Sequence, residues 1–213
     1  MSYLSQVELE LLGFKKLGRG VRISKKASIY DAYLISLGDF VRVDDFCIIS
    51  GNVTLGRSVS LAPYCLIAGG NKDEDLQNGG ILILENCVFA YGVKVFSRSD
   101  DYVNMDSKAT FIGRVVINQN CIIGSNATIY PGSIIGQSCS IGAYSFVKGE
   151  CVSGGIYAGI PARFLRLKVK NLNSSNYFNV GCGGGGISSY VRKWLRILRF
   201  ICLGLRDFMF CKR

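Results

Sequence analysis

The chain has 213 residues, 49% of them apolar, and a formal net charge of +10. This profile excludes wholesale disorder and predicts one domain with a buried core plus an appendage. The sequence shows no secretory leader pattern, no apolar stretch long enough to span a bilayer and no recognisable nucleic-acid-binding module, so we expect a cytoplasmic protein without a nucleic-acid partner.

Residues 1–16 precede any regular pattern and are predicted to form an N-terminal cap segment. From residue 17 onward, aliphatic residues return at every sixth position. The clearest early run is Leu37, Val43, Ile49, Leu55, Leu61 and Ile67. A period of six fits neither an amphipathic helix nor a simple alternating strand. It predicts short strands joined by corners, three to a coil, with each coil stacked on the next.

Two polar segments interrupt this pattern, residues 68–80 and residues 97–113. Loops on a rigid repeat scaffold commonly carry specificity, so both segments are candidates for a binding site. The second segment contains the adjacent carboxylates Asp100 and Asp101. A solvated loop that caps a corner of the coil is the simpler interpretation of the same pair.

The pattern resumes at residue 117 and is most regular there. Its aliphatic members are Ile117, Ile123, Ile129, Ile135, Ile141 and Val147, each followed four positions later by a small residue. About six coils can be counted between residues 17 and 152. Glycine follows many of the aliphatic residues, as at Gly38, Gly124 and Gly136, and we expect it to supply the positive φ of a tight corner. Periodicity alone also allows a scaffold without chemistry.

Six of the nine cysteines occupy small, inward-pointing positions of the repeat. Cys47 and Cys65 are 18 residues apart, as are Cys121 and Cys139, and this separation equals one full coil. Stacked cysteines of this kind behave as small apolar residues. Since disulfides are scarce in cytosolic proteins, we expect these six to be reduced core thiols.

The end of the chain differs in composition from the repeat. Residues 169–186 are rich in Gly, Ser and Asn and are predicted to be a linker. In residues 187–213 the apolar residues fall on one helical arc, and seven basic residues outnumber a single acid, which predicts a basic amphipathic α-helix. Two interpretations stay open, namely peripheral contact with the inner face of the membrane, or docking on the folded body or a second subunit.

The hexads IGSNAT (123–128), IGQSCS (135–140) and IGAYSF (141–146), followed by YAGIPARFLR (157–166), resemble the hexapeptide-repeat acyltransferases, especially the sugar and polysaccharide O-acetyltransferases. The resemblance covers residues 17–168 and implies an all-β fold, a left-handed parallel β-helix, to which the C-terminal amphipathic α-helix is added. It also implies a homotrimer that transfers an acetyl or related acyl group from acyl-coenzyme A. The implied acceptor is a hydroxyl or amine of a sugar or lipid-linked glycan in surface-polysaccharide biosynthesis, and no metal is expected.

The same resemblance implies which residues meet acetyl-coenzyme A (acetyl-CoA), because in the family the last two coils and the following segment border the coenzyme. The implied cofactor-binding residues are Gly142, Ala143, Lys148, Gly159, Pro161, Arg163 and Arg166. The two arginines are placed to meet phosphate, and backbone N–H groups of the last coils to meet the thioester and the pantetheine arm. The alternative is that Gly159 and Pro161 only turn the chain.

Family members commonly use a His as general base, and this chain contains none. The string VKVFSRSD (93–100) places Asp100 where the family has that His, followed by Asp101 and Tyr102. One hypothesis makes Asp100 the base or orienting group, with Asp101 or Tyr102 assisting. The other needs no protein base, because an amino-sugar acceptor is already nucleophilic once its ammonium loses a proton. A catalytically silent scaffold is the alternative function that the missing His favours.

Overall fold

The computed structural model describes residues 2–72, 77–100 and 110–168. The predicted linker, residues 169–186, and the predicted amphipathic helix, residues 187–213, lie outside the described residues and stay predictions. Within the described part of the chain, no helix is long and apolar enough to cross a membrane.

A short helix, α1 (Gln6–Leu11), precedes the first coil. It begins with a capping box, in which the Glu8 N–H donates to the Ser5 hydroxyl and the Ser5 N–H donates to the Glu8 carboxylate at 2.7 Å. That backbone hydrogen bond, together with the nearby Lys25 ammonium, lowers the pKa of Glu8 to about 2. Leu9 on the inner side of the helix is buried in the core, so the helix covers apolar surface that the first coil would otherwise expose.

Short parallel strands form three faces, which the chain visits in a fixed order. Face 1 consists of β1 (Lys16–Leu17), β4 (Ser36–Leu37), β7 (Val53–Leu55), β10 (Ile81–Ile83), β15 (Val115–Ile117), β18 (Ile134–Ile135) and β21 (Glu150–Cys151). Face 2 consists of β2 (Arg22–Ile23), β5 (Arg42–Val43), β8 (Ser60–Leu61), β11 (Val88–Phe89), β16 (Ile122–Ile123), β19 (Ser140–Ile141) and β22 (Gly155–Gly159), with β23 (Ala162–Leu167) folded back antiparallel on β22.

Face 3 completes each turn of the chain. Its strands are β3 (Ser28–Tyr30), β6 (Ile48–Ser50), β9 (Leu66–Ala68), β12 (Lys94–Phe96), β17 (Thr128–Ile129) and β20 (Phe146–Val147). One strand from each face makes a coil, so the stack has six complete coils, and β21 with β22 begins a seventh. This architecture confirms the predicted left-handed parallel β-helix of about six coils.

The core is made of inward rows of aliphatic side chains stacked in register. On face 1, for example, Leu55 pairs with Ile83, which pairs with Ile117, and all three are buried. Burying one such side chain stabilises a fold by about 1.5–3 kcal/mol. The hexad therefore specifies the fold because each repeat places one aliphatic side chain in the interior of the prism.

The corners correct one expectation. The glycines that follow the aliphatic residues do not have positive φ; the left-handed residues stand two positions later, at Phe40, Ser58, Asn126, Ser138 and Tyr144. The glycines are needed for another reason, since a Cβ on Gly124 would lie 2.5 Å from the Ala143 nitrogen of the next coil. Glycine thus permits close packing between coils, and other residues adopt the strained corner conformation.

The six cysteines of the repeat are buried and free, as predicted. They are Cys47, Cys65, Cys87, Cys121, Cys139 and Cys151. At the corners a thiol donates to a backbone carbonyl of the next coil, as from Cys139 Sγ to the Val152 oxygen at 2.9 Å. Burial raises the pKa of Cys151 to about 12. These thiols therefore fill the interior and satisfy corner carbonyls.

Both polar segments leave the stack at the corner between face 3 and face 1. The first follows β9, and its initial residues continue the coil, because the Gly69 N–H donates to the Ser50 oxygen and the Asn52 N–H to the Gly70 oxygen. The second forms an antiparallel pair, β13 (Arg98–Asp100) with β14 (Thr110–Ile112), which we call the arm. The arm is where the predicted catalytic string ends.

Candidate active site

A cavity of about 880 Å³ lies on face 3 beside the arm. One end is formed by Asp31, Ser50, Gly51, Ala68, Gly70 and Asn71, and the other by Thr128, Tyr130, Pro131, Phe146 and Lys148. Phe96 and the arm strand β13 lie between these two ends of the lining. A concave site of this size with apolar walls and a few polar groups is typical of a small-molecule pocket.

Aromatic stacking anchors the arm to the coils below it. The Phe111 ring stacks on Tyr130 with centroids 5.7 Å apart, and Tyr130 contacts Phe146 at 5.6 Å. The Lys148 ammonium lies 5.2 Å from the centre of the Tyr130 ring. These contacts fix where the arm lies over face 3.

The pairing of the two arm strands determines which side chains share a side. Ser99 pairs with Phe111, and Asp100 pairs with Thr110. Cross-strand partners point to the same side of a hairpin, so Asp100 points away from the ring of Phe111. An Nη2 donor of Arg98 reaches the Thr110 hydroxyl at 3.3 Å, on the same side as Asp100.

Of the predicted catalytic residues, Asp100 is the one that the structure describes. It ends β13, is exposed, and lines the cavity. Asp101 and Tyr102 lie outside the described residues, so their assisting roles stay predictions. The placement of Asp100 at the mouth of a pocket is the geometry that a group acting on an acceptor requires.

The predicted coenzyme residues fall into two groups. Gly142, Ala143 and Gly159 lie together at the corner between faces 2 and 3, since the Gly142 N–H donates to the Tyr157 oxygen at 2.8 Å and the Gly159 N–H to the Ser145 hydroxyl at 3.2 Å. Pro161 follows in the turn to β23. Lys148 does not belong to this group, because it lines the cavity on the far side of face 3.

A β-bulge places the two predicted phosphate-binding arginines on one side of β23. Arg163 pairs with Ala158 and Arg166 with Ile156, with a register shift between Ile156 and Tyr157. Because Ala158 and Ile156 are two residues apart, both arginines point to the same outer side, although three positions separate them. Both side chains are exposed, which suits the binding of phosphate.

Sequence reasoning missed the aromatic lining of the cavity and its polar rim. Tyr130 and Phe146 each adjoin an inward aliphatic residue of the hexad, and such outward positions follow no pattern of their own. Asp31 and Asn71, whose side chains are joined by a hydrogen bond of 3.0 Å, are 40 residues apart in the chain. Tyr130 and Phe146 gave a signal as large aromatic residues at outward positions of the repeat, and Asn71 lies in the segment 68–80, which was predicted as a candidate for a binding site.

Comparison with known proteins fits this geometry. The family model "Bacterial transferase hexapeptide (six repeats)" matches residues 110–149. A dTDP-4-amino-4,6-dideoxy-D-glucose acyltransferase of Escherichia coli is 31% identical over 189 residues, which cover 81% of this chain and 92% of that protein. The chain belongs to the bacterial hexapeptide-repeat acyltransferases. Membership in this family favours acyl transfer over the scaffold alternative.

Other known proteins are similar to this chain in sequence or in fold. The protein named "Putative lipopolysaccharide biosynthesis O-acetyl transferase WbbJ", from Escherichia coli K12, is 27% identical over 62% of this chain and 60% of its own length. The crystal structure of AntD, an N-acyltransferase from Bacillus cereus in complex with dTDP and 3-hydroxybutyryl-CoA, aligns with a TM-score of 0.72 and 28% identity over 96% of this chain and 98% of that one. A GDP-perosamine N-acetyl transferase from Caulobacter crescentus, 16% identical with a TM-score of 0.53 over 68% of this chain and 56% of that one, shares the fold.

Proposed function

We propose that this hexapeptide-repeat acyltransferase transfers an acyl group from acyl-CoA to the amino group of a nucleotide-linked amino sugar. The observation that carries the proposal is an exposed Asp100 at the mouth of the face 3 cavity in a chain without His. Relatives whose names state an amino-sugar or N-acyl reaction support nitrogen as the acceptor atom. In two crystal structures of AntD, the same aspartate of that protein is replaced, by alanine in one and by asparagine in the other.

The chemistry of an amine explains how the reaction proceeds without a His. A sugar hydroxyl needs a base to become nucleophilic, and a carboxylate is a weak base. A neutral amine carries its own lone pair. Its nitrogen forms the new C–N bond, the C–S bond of the thioester breaks, and the amine proton ends on the coenzyme thiolate or on water. In this scheme Asp100 accepts an N–H hydrogen bond and aims the lone pair at the thioester carbon.

In this proposal the coenzyme binds at the C-terminal end of the stack. Arg163 and Arg166 point to one outer side there, where they suit the phosphates of CoA. Backbone groups around Gly142 and Ala143 lie at the adjoining corner between faces 2 and 3. From this corner the pantetheine chain would run toward the β13–β14 hairpin of a neighbouring copy.

We also infer a homotrimer with shared sites. Within one chain, Asp100 lies on the arm, which leaves the stack at the corner between faces 3 and 1. The predicted coenzyme residues Gly142, Ala143 and Gly159 lie at the corner between faces 2 and 3. Packing of prisms around a threefold axis brings different corners of neighbouring copies together. The acceptor site of one copy then meets the coenzyme site of the next.

The test compares acceptors and acyl donors. Initial rates are measured for a dTDP-linked 4-amino sugar and for its 4-hydroxy analogue, each with acetyl-CoA and with 3-hydroxybutyryl-CoA. We expect transfer to the amine and a rate at least about 100-fold lower for the hydroxyl, because that acceptor needs a general base. Equal rates for the two acceptors, or transfer to the hydroxyl alone, would refute N-acylation. The donor that reacts faster identifies the acyl group.

A further inference from the structure

The outer row of face 3 is interrupted by small side chains beside the arm. The register of β3, β6, β9 and β12 places Tyr30, Ser50, Ala68 and Phe96 side by side. Neighbouring strands are about 4.8 Å apart, so the two aromatic residues stand about 14 Å apart with only two small side chains between them. This gap is the recess, which we define by Ser50, Gly51, Ala68 and Gly70.

The recess is built into the backbone. A Cβ on Gly51 would overlap the carbonyl of Gly70, and both residues have positive φ. The Asn52 N–H donates to that same carbonyl at 2.7 Å, and the Gly69 N–H donates to the Ser50 oxygen at 2.8 Å. These bonds hold the first polar segment against the coil, so side chains are absent where the fold requires close backbone contact.

A hydrogen-bonded polar pair forms the rim of the recess. The Asn71 amide donates to the Asp31 carboxylate at 3.0 Å, and both residues line the cavity. Asp31 has a φ of 54°, a conformation that is uncommon for residues other than glycine. An ionised carboxylate has room for further N–H or O–H donors, and its charge disfavours a phosphate beside it. The cation Lys148 lies at the other end of the cavity.

We propose that the recess binds the pyrimidine nucleoside of the acceptor, an inference that rests on the proposed function. Ser50 and Ala68 leave space for one flat ring, and Phe96 borders that space with an aromatic ring. The pair of Asp31 and Asn71 meets hydrogen-bond donors of the nucleoside, such as the imide N–H of thymine. The diphosphate lies away from Asp31, toward Lys148, and the amino sugar reaches the arm.

The variant Ala68→Phe tests this assignment by filling the recess. Binding of dTDP and, separately, of CoA is measured by titration calorimetry on the full chain. We expect the Kd of dTDP to rise at least about 10-fold, as for other steric misfits in a pocket, and the Kd of CoA to stay unchanged. Ser60→Phe is the matched control, because it adds the same ring on face 2, where Ser60 of β8 lies between β5 and β11.

A second variant keeps the test decisive if Ala68→Phe does not fold. Asp31→Asn preserves the shape of the rim and removes its charge, so it should weaken dTDP binding about 10-fold as well, because a hydrogen bond to a charged acceptor is stronger than one to a neutral acceptor. Unchanged dTDP binding in both variants, an equal loss of CoA binding, or no binding of dTDP to the unaltered chain would overturn the inference. Acyl transfer to the amino sugar is measured separately. If both variants transfer the acyl group at the rate of the unaltered chain, the nucleoside assignment is refuted and the proposed acyl transfer stands.

Discussion

Asp100 occupies an exposed position at the end of β13 and lines the face 3 cavity. If it orients the acceptor amine, its charge and its acceptor oxygens both matter. We therefore expect Asp100→Asn to lower kcat about 100-fold, because misplacement of a reacting group by about 1 Å costs roughly this factor. Steady-state kinetics with the dTDP-linked amino sugar measure this.

The control for Asp100→Asn is Glu85→Gln. Glu85 is also an exposed acid and lies on a corner outside the face 3 cavity, so its replacement should leave kcat unchanged. Near-normal kcat in Asp100→Asn would show that alignment by other groups is sufficient, and Asp100 would then be a solvated residue of the arm.

Two of the buried thiols, Cys139 and Cys151, give a prediction about pH. A thiol whose folded pKa is raised favours the folded state below the ordinary thiol pKa of about 8.5, and this stabilisation is lost as pH rises toward the folded value. For Cys151 the window runs up to about 12, and burial also raises the pKa of Cys139. We expect the urea midpoint of unfolding to fall between pH 8.5 and pH 10.

Labelling of thiols checks the same point independently. At pH 8 the folded chain should protect the six cysteines of the repeat from iodoacetamide, and peptide mass spectrometry after quenching locates any label. Modification of Cys151 at the rate of an exposed thiol, without unfolding, would contradict the burial described for it.

Two positions at a corner have different roles: the glycine permits close packing between coils, and the residue two positions later adopts the left-handed conformation. We expect Gly124→Ala to destabilise the fold by roughly 1–3 kcal/mol, because its Cβ would collide with the Ala143 nitrogen and overpacking costs this much. Asn126→Gly, two positions later, should be tolerated since Asn126 already has a φ of 57°. The melting temperatures of both variants, compared with that of the unaltered chain, test these two expectations. Equal stability of Gly124→Ala and the unaltered chain would mean that the coils separate at little cost.

The arm depends on its aromatic anchor. Loss of the ring in Phe111→Ala removes the stacking on Tyr130, so we expect kcat to fall about 10-fold or more through misplacement of Asp100. Phe111→Tyr should restore the rate, whereas Phe40→Ala, at an exposed ring of another corner, should not affect it. A fall in melting temperature with kcat unchanged would make Phe111 merely structural.

The inner and outer rows of the strands differ in how well the sequence predicts them. Residues such as Ile117 and Ile129 recur every six positions because each must fill the prism, so the coil count followed from the sequence. Outward residues such as Phe96 and Tyr130 line the face 3 cavity and follow no period. The glycine role was misjudged for a related reason, since the contact from Gly124 to Ala143 joins successive coils and is invisible in a single hexad.

For the whole molecule, the shared-site trimer predicts complementation. Asp100→Asn should damage the acceptor side of a site, and the double variant Arg163→Gln with Arg166→Gln should damage the coenzyme side. If neighbouring copies share sites, trimers refolded from a mixture of the two inactive chains regain a fraction of the activity. Light scattering establishes the mass of the assembly. A monomer with full activity, or a trimer whose mixtures stay inactive, would refute shared sites.

The constant rise per coil fixes the distance along the stack between sites on different coils. Each coil advances the chain by about 4.8 Å, so the separation between the recess at β6 and β9 and the arm after β12 is a whole number of coils. The recess and the arm lie on neighbouring coils, so insertion of one 18-residue coil between them would increase their separation by about 4.8 Å, the spacing of one coil. Evolution of such a scaffold can therefore change the distance between two binding subsites only in steps of one coil, and so fit longer or shorter substrates.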